Sequence, residues 1–139
     1  MKQLKPFHGL PELLAHGRMN LGANDLYILL ATKEPSQATD VYREDLPDEL
    51  PTGGGYVAGG LPVETTRSKQ VGGIYQLDGT GPTFTAKGGQ IGPFRFAVVY
   101  NQTGGGLVGF ADYQEDVTLA DGDSMRIELT NPIVNLRLM

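Results

Sequence analysis

The C-terminal third of the chain restricts the fold most, because apolar stretches of strand length alternate there with turn sequences. Between Pro93 and Asn131 the stretches PFRFAVVYN, LVGFADY and SMRIELTN are separated by Gly104–Gly106 and by Asp121–Asp123. Glycine-rich and Asp-Gly sequences between such stretches are typical of hairpin connections, and no helical pattern intervenes. The pattern predicts consecutive antiparallel strands, which favours an all-β protein that binds through its surface.

The length of 139 residues fits one domain with a single core. We predict a single-domain antiparallel β-sandwich, jelly-roll-like, over residues 25–139, with an N-terminal arm over residues 1–24. Pro11 can begin a short helix in this arm that covers Glu12 to His16, and Gly17 can end it. The 20 glycines and 9 prolines fall between apolar stretches, as in turn-rich β proteins.

The remaining elements are predicted from the alternation of apolar, polar and turn residues. Residues 25–32 (DLYILLAT) indicate a central strand that is covered on both faces. Residues 33–60 are acidic and contain prolines, which predicts a long surface excursion with one helical turn near residues 41–46. Residues 61–70 are polar enough for a sheet edge or an extended arm. Residues 74–77 and 83–87 are predicted to form a hairpin, and residues 132–139 a last strand.

The core is predicted from the parity of large apolar side chains within the C-terminal strands. Phe94, Phe96 and Val98 alternate with Arg95, which indicates that these three share one buried face. The predicted core residues are Phe94, Phe96, Val98, Phe110, Ile127 and Leu129.

Charge and cysteine content exclude several function classes. The net charge is −5 and lysines and arginines are scattered, so nucleic acid is not an expected partner. The absence of cysteine excludes a disulfide scaffold, a thiolate zinc site and a cysteine nucleophile. No apolar stretch has the length of a signal peptide or of a membrane span, so we expect no membrane partner and a protein made in the cytoplasm.

Motifs that carry chemistry are weak in this sequence. Residues 104–109 match G-x-G-x-x-G, but strands are predicted on both sides, where a dinucleotide site needs a following helix. His8 and His16 lack metal-ligand spacing. The carboxylates of Asp112, Glu115, Asp116, Asp121 and Asp123 leave calcium as an alternative to solvation and turn formation. We expect no cofactor and no catalytic residue, although an acidic glycosidase or lyase on a β-sandwich remains an alternative.

A resemblance rests on the order of four segments. These segments are Gly54-Gly55-Tyr56-Val57-Ala58-Gly59-Gly60, Phe94-Arg95-Phe96-Ala97-Val98-Val99-Tyr100, Leu107-Val108-Gly109-Phe110 and Asp121-Gly122-Asp123-Ser124. In this order they resemble small virion structural proteins of tailed bacteriophages, over about residues 26–129.

The resemblance implies a capsid cement or decoration protein that binds the major capsid protein and copies of itself, as a homotrimer on the virion surface. A tail or tail-fibre component that contacts the host surface is the alternative, and the absence of tryptophan disfavours a sugar-binding module. We expect the N-terminal arm and the excursion to make the partner contacts. The candidate partner-binding residues are Phe7, Leu10, Leu13, Leu14, Val41, Tyr42 and Tyr56.

Overall fold

The computed structural model describes residues 3–138 and is mostly β-structure. It contains one short α-helix, α1 (Leu10–Ala15), and two 3-10 turns at Leu21–Ala23 and Arg43–Asp45. The ten strands of the described chain are β1 (Lys5–Pro6), β2 (Leu26–Ala31), β3 (Leu61–Pro62), β4 (Glu64–Val71), β5 (Ile74–Thr80), β6 (Thr83–Thr85), β7 (Ile91–Asn101), β8 (Leu107–Leu119), β9 (Ser124–Arg126) and β10 (Val134–Arg137).

The strands form three antiparallel sheets that pack as a sandwich. The large sheet has the order β1-β8-β7-β2-β3, and two smaller sheets have the orders β10-β5-β4 and β6-β9. Leu30 and Val99 of the large sheet share one core cluster with Leu77 of β5 and Phe84 of β6. The core therefore lies between the large sheet and the smaller ones, and the prediction of an all-β, sandwich-like fold is confirmed.

The large sheet is buried on both faces at its centre. β2 lies between β7 and β3, as expected for a central strand, and Leu29 belongs to a second cluster with Phe96, Val98 and Phe110. All six predicted core residues are buried. The prediction that Phe94 shares a face with Phe96 is wrong, since Phe94 belongs to the first cluster. The pairing of β7 with β8 shifts between these two residues, and a shift of this kind reverses the parity of side chains.

The predicted hairpin between residues 74–77 and 83–87 does not form. β5 pairs with β4 and with β10, while β6 pairs with β9. The connection that makes a hairpin is Gly72-Gly73, which joins β4 to β5, and both glycines have positive φ. A Gly-Gly pair is a favoured two-residue hairpin turn, because it adopts positive φ without steric cost. β4 is an edge strand, as its polar sequence predicts.

The strands near the C-terminus are shorter than predicted. β9 ends at Arg126, so Ile127 and Leu129 are buried outside a regular strand. The last strand is confirmed as β10, which covers Val134–Arg137, while Met139 lies outside the described residues.

The N-terminal segment packs against the same core as the sandwich. β1 pairs with β8, and Phe7 is buried with its ring centroid 5.3 Å from that of Phe110. Leu10 and Leu13 of α1 are buried in the first cluster. The helix begins near Pro11 and is followed by Gly17 at positive φ, as the sequence predicts. The N-terminal arm therefore contributes buried side chains to both core clusters.

The excursion is attached to the large sheet at several points. Leu50 donates its backbone N–H to the Leu30 carbonyl at 2.9 Å, and Ala31 forms a β-bridge with Glu49. A Cβ on Gly60 would overlap the Ile28 carbonyl oxygen, so only glycine allows the chain to return so close to β2. The predicted helical turn is the 3-10 turn Arg43–Asp45. The excursion is thus held against β2 by backbone contacts, and it buries Leu50 and Tyr56.

Candidate functional site

A carboxylate within the excursion gathers four hydrogen bonds. Glu49 accepts from Arg43 Nε at 3.2 Å and from Nη2 at 2.9 Å through Oε1. Its Oε2 accepts from the Tyr56 hydroxyl at 2.8 Å and from the Gly59 backbone N–H at 2.6 Å. Hydrogen bonds to a charged acceptor are stronger than those between neutral groups. This Glu49 cluster (Arg43, Glu49, Tyr56, Gly59) joins residues that lie up to 16 positions apart.

Two buried tyrosines tie the Glu49 cluster to the large sheet. The Tyr56 hydroxyl accepts the backbone N–H of Leu30 at 3.1 Å, and the Tyr100 hydroxyl donates to the Gly59 carbonyl at 2.6 Å. The Arg43 guanidinium lies 5.5 Å from the centroid of the Tyr100 ring. Burial raises the pKa of Tyr56 and also that of Tyr100 above the usual value for a phenol. Both hydroxyls therefore stay protonated and hold the excursion in place at neutral pH.

Next to this cluster the excursion forms the wall of a shallow groove of about 510 Å³. Arg43 donates its backbone N–H to Gly105 at 2.7 Å, and Leu107 donates to Val41 at 2.9 Å, so the β7–β8 loop runs beside the excursion. The Asp45 carboxylate accepts the backbone N–H of Tyr42 at 2.9 Å. The lining of this groove, called the excursion groove below, is Tyr42, Arg43, Glu44, Leu46, Glu49, Gly104 and Gly105.

A second, apolar cleft of about 530 Å³ opens on another part of the surface. It lies where β1, an edge of the large sheet, approaches β10, an edge of the β10-β5-β4 sheet. Leu4, Val108 and Ile133 contribute to its apolar walls. The lining of this edge cleft is Leu4, Pro6, Phe7, His8, Leu10, Pro11, Val108, Gly109, Pro132, Ile133, Val134, Asn135 and Leu136.

The seven candidate partner-binding residues divide into two groups. Phe7, Leu10, Leu13 and Tyr56 are buried, so a partner would reach most of each side chain only if its segment left the core. These four side chains pack in the two core clusters. The sequence pattern places them outside the strands, so it did not predict that they are buried. Leu14, Val41 and Tyr42 are half-buried at the rim of the first cluster.

The other chemical candidates lie apart from one another. The Gly104–Gly106 segment is a hairpin loop between β7 and β8, with a strand on each side as expected. His8 is exposed at the edge cleft, and His16 caps the end of α1. Among residues 3–138, no three His, Asp or Glu side chains are grouped so as to hold a metal ion. In the same part of the chain, no helix has the length and apolar character needed to cross a membrane.

The predicted carboxylate group is divided among separate structural roles. Asp112 accepts from Arg95 Nε at 2.8 Å, and this guanidinium lowers the pKa of Asp112. Asp121 accepts the Gly88 backbone N–H at 3.0 Å, and Asp123 accepts that of Ala120 at 3.1 Å. These contacts fit turn formation, which is the alternative to calcium binding for these carboxylates.

The Glu49 cluster is the feature that the sequence did not reveal. Glu49 lies among several acidic residues of the excursion, and nothing in its spacing distinguishes it from Asp48. The nearest signal is the Gly54–Gly60 segment, in which a tyrosine stands between glycines. A Cβ on Gly54 would overlap the Gln90 carbonyl oxygen, so the glycines allow the close backbone approach that buries Tyr56. With four donors on its two oxygens, Glu49 serves to fix the loop and is not an available base.

The comparisons with known proteins add no relative. No protein-family model matches the chain, and no curated protein or solved structure shows a significant similarity to it. The excursion groove, the edge cleft and the excursion that Glu49 holds are the surface features that bear on function.

Proposed function

We propose that this protein is a bacteriophage virion structural protein that binds the major capsid lattice as a cement or decoration protein. The observation that carries the proposal is the excursion groove, a concave surface beside the Glu49 cluster, whose hydrogen bonds tie the excursion to the large sheet. A surface loop that is held by internal contacts loses less conformational entropy when it binds. A loop held in this way on a β-sandwich is suited to a repeated protein contact.

The composition of the excursion groove supports a protein partner. Tyr42 and Arg43 lie at its rim with half-buried side chains, and tyrosine and arginine are enriched at interface positions that contribute most to binding. Glu44 is exposed beside them, and acidic side chains are favourable opposite a basic partner surface. The phage-like order of β segments supports the same class of partner, a subunit of the capsid.

Because many copies bind the shell, a weak contact in each copy is sufficient for stable attachment. A cement protein is present in many copies on a shell, and copies that bind one another as well as the lattice engage several sites together. The effective affinity then exceeds that of each contact. The excursion groove accordingly needs to supply only a small interface in each copy.

The test compares particles with and without the protein. We expect particles that lack it to assemble normally and to release their DNA at a lower temperature, because a protein that binds only the mature lattice stabilises it by mass action. Adding the purified protein should restore the heat resistance in proportion to occupancy. Equal heat resistance together with failed adsorption to host cells would contradict the cement function and favour the tail or tail-fibre alternative.

A matched pair of variants tests the excursion groove itself. Tyr42→Ala removes a half-buried tyrosine from the groove, whereas Tyr113→Ala removes a half-buried tyrosine that packs on the same core cluster elsewhere. We expect Tyr42→Ala to reduce binding to depleted particles roughly tenfold or more and Tyr113→Ala to leave it within about twofold. Equal binding by both variants would place the lattice contact outside the groove.

A further inference from the structure

The β10-β5-β4 sheet extends beyond the core that supports it. Leu77 and Val134, at its inner end, are buried under the large sheet. Farther along the same strands, none of residues 69–76 and none of residues 135–138 is buried. This outer part, called the overhang below, has two accessible faces. A three-stranded sheet needs an apolar face packed against another element for stability. In the overhang Tyr75 still packs on the rim of the first core cluster, whereas Val71 and Leu136 are exposed.

An apolar row runs along β10 from the core into the overhang. Val134 is 5% exposed, Leu136 is 37% exposed and Leu138 is 89% exposed. These alternate residues share one face of the sheet, which is the face directed toward the core. Val134 and Leu136 also line the edge cleft, so the row and the cleft form one continuous apolar surface.

The other sheet edges of residues 3–138 carry features that discourage pairing. β1 and β3 have two residues each and contain Pro6 and Pro62. β6 and β9 have three residues each. Short edges and prolines are known protections against edge-to-edge association.

The remaining edge, β4 on the other side of the same sheet, differs from β10 in charge. β4 carries Glu64, Arg67 and Lys69 along its eight residues, and charged side chains also discourage pairing. β10 has a single charged residue, Arg137, and joins an apolar row to an apolar cleft. Its outer edge is not paired with another described strand. Among the edges described, β10 is the one suited to receive a strand.

We propose that two copies of this chain associate through β10 around a two-fold axis, with Leu136 opposite the same residue of the partner. This dimer differs from the homotrimer that the resemblance implies. This register brings Leu138 opposite the partner's Val134, beside the edge cleft, so the most exposed leucine fills the cleft of the other copy. The two β10-β5-β4 sheets become one six-stranded sheet. An antiparallel pair of identical strands is self-complementary, as a two-fold interface requires.

The opposite face of the joined sheet is polar and predicts a salt effect. In the same register Arg137 lies opposite the partner's Asn135, whose amide oxygen is a suitable acceptor. The two Arg137 side chains lie diagonally across the axis, at a separation of roughly 7–8 Å between backbones. Their repulsion opposes the apolar contact, so salt strengthens the dimer by screening it.

The first test measures mass in solution with the purified full chain. We expect sedimentation equilibrium to give a dimer, with Leu138→Asp raising the dissociation constant roughly a hundredfold, because each dimer loses two apolar contacts. Val71→Asp is the matched control, since Val71 is an exposed apolar residue on the opposite edge of the same sheet. It should leave the dissociation constant within about threefold. A monomeric or trimeric wild-type protein, or equal effects of both variants, would overturn the proposal.

The second test reports the register. The chain has no cysteine, so Leu136→Cys introduces a single thiol that meets its own copy across the axis. Directly opposed residues of an antiparallel pair have the Cα separation that a disulfide needs. We expect mild oxidation to give a cross-linked dimer for Leu136→Cys and none above background for Val57→Cys, which is exposed elsewhere. Cross-linking of both variants to the same extent would refute the register. Neither test depends on the virion proposal, because both use the protein alone.

Discussion

β7 and the overhang show how apolar strand residues reach opposite environments. β7 is largely apolar and is covered on both faces, and the shift in its pairing with β8 places Phe94 and Phe96 in different clusters. β10 alternates apolar and polar residues, yet Leu138 beyond its end is almost fully exposed. The difference arises because β7 lies between two neighbours in the large sheet, while β10 is an edge that passes beyond the core.

A large apolar side chain therefore contributes to a different property of the protein in each region. In β7 a large side chain contributes to the stability of the folded chain. In the overhang a similar side chain contributes little to folding and remains available for association. The following predictions test this separation, in order of decreasing effect.

The largest effect is expected at Phe96. Phe96→Ala should lower the free energy of unfolding by about 3–5 kcal/mol, because the side chain is buried and its ring lies 6.3 Å from that of Phe110. Leu138→Ala, measured as the monomer at low concentration, should change it by less than about 0.5 kcal/mol. Chemical denaturation measures both values. Equal losses at the two positions would remove the distinction between the regions.

The Glu49 cluster should contribute an intermediate amount. Glu49→Gln keeps the shape of the side chain but weakens the four hydrogen bonds that the carboxylate accepts, so we expect a loss of about 1–3 kcal/mol. Asp48→Asn is the matched control, since Asp48 pairs with Lys33 at 2.9 Å on the exposed surface. Exposed ion pairs contribute about 0–1 kcal/mol. A control that is as destabilising as Glu49→Gln would argue against the cluster as the attachment of the excursion.

Alkaline pH should destabilise the protein through its buried tyrosines. An unfolded tyrosine ionises near pH 10, whereas burial keeps the pKa of Tyr56 higher in the folded chain. Above pH 10 only the unfolded state loses this proton, so stability falls by up to about 1.4 kcal/mol per pH unit for each such tyrosine. Denaturation at several pH values measures the slope. Tyr56→Phe should make it shallower, and an unchanged slope would show that Tyr56 does not titrate in this way.

The smallest effect is expected in the overhang of the monomer. Val71→Asp should change the free energy of unfolding by less than about 0.5 kcal/mol. Amides of residues 69–76 should exchange hydrogen orders of magnitude faster than those of β7, because few buried contacts oppose local opening. Protection should increase there when the concentration is raised and β10 pairs. Protection that is high at every concentration would show that the overhang is stable on its own.

Much of the fold could be predicted from local sequence. The strand at residues 26–31 and the long hairpin strands β7 and β8 follow from apolar runs separated by turn residues. The short helix follows from Pro11 and Gly17, and burial of the six core residues follows from their size and position. These features depend on contacts that nearly any sheet arrangement would provide. The pattern of apolar and turn residues therefore determined these features whichever strands pair with each other.

The candidate sites could be predicted only in part, because they depend on segments far apart in sequence. The sequence placed Tyr42 on the excursion, where it lines a groove, but it also assigned Phe7 and Tyr56 to the surface. Only tertiary structure brings Tyr56 to Glu49, or β10 beside β1 to form the edge cleft. Strand pairing is set by the whole sheet, so β5 joins β4 and β10 instead of β6. The sequence alone determined the main strands β2, β7, β8 and β10, because their apolar runs and turns are local, and the tertiary structure decided the strand partners and which edges and side chains remain exposed.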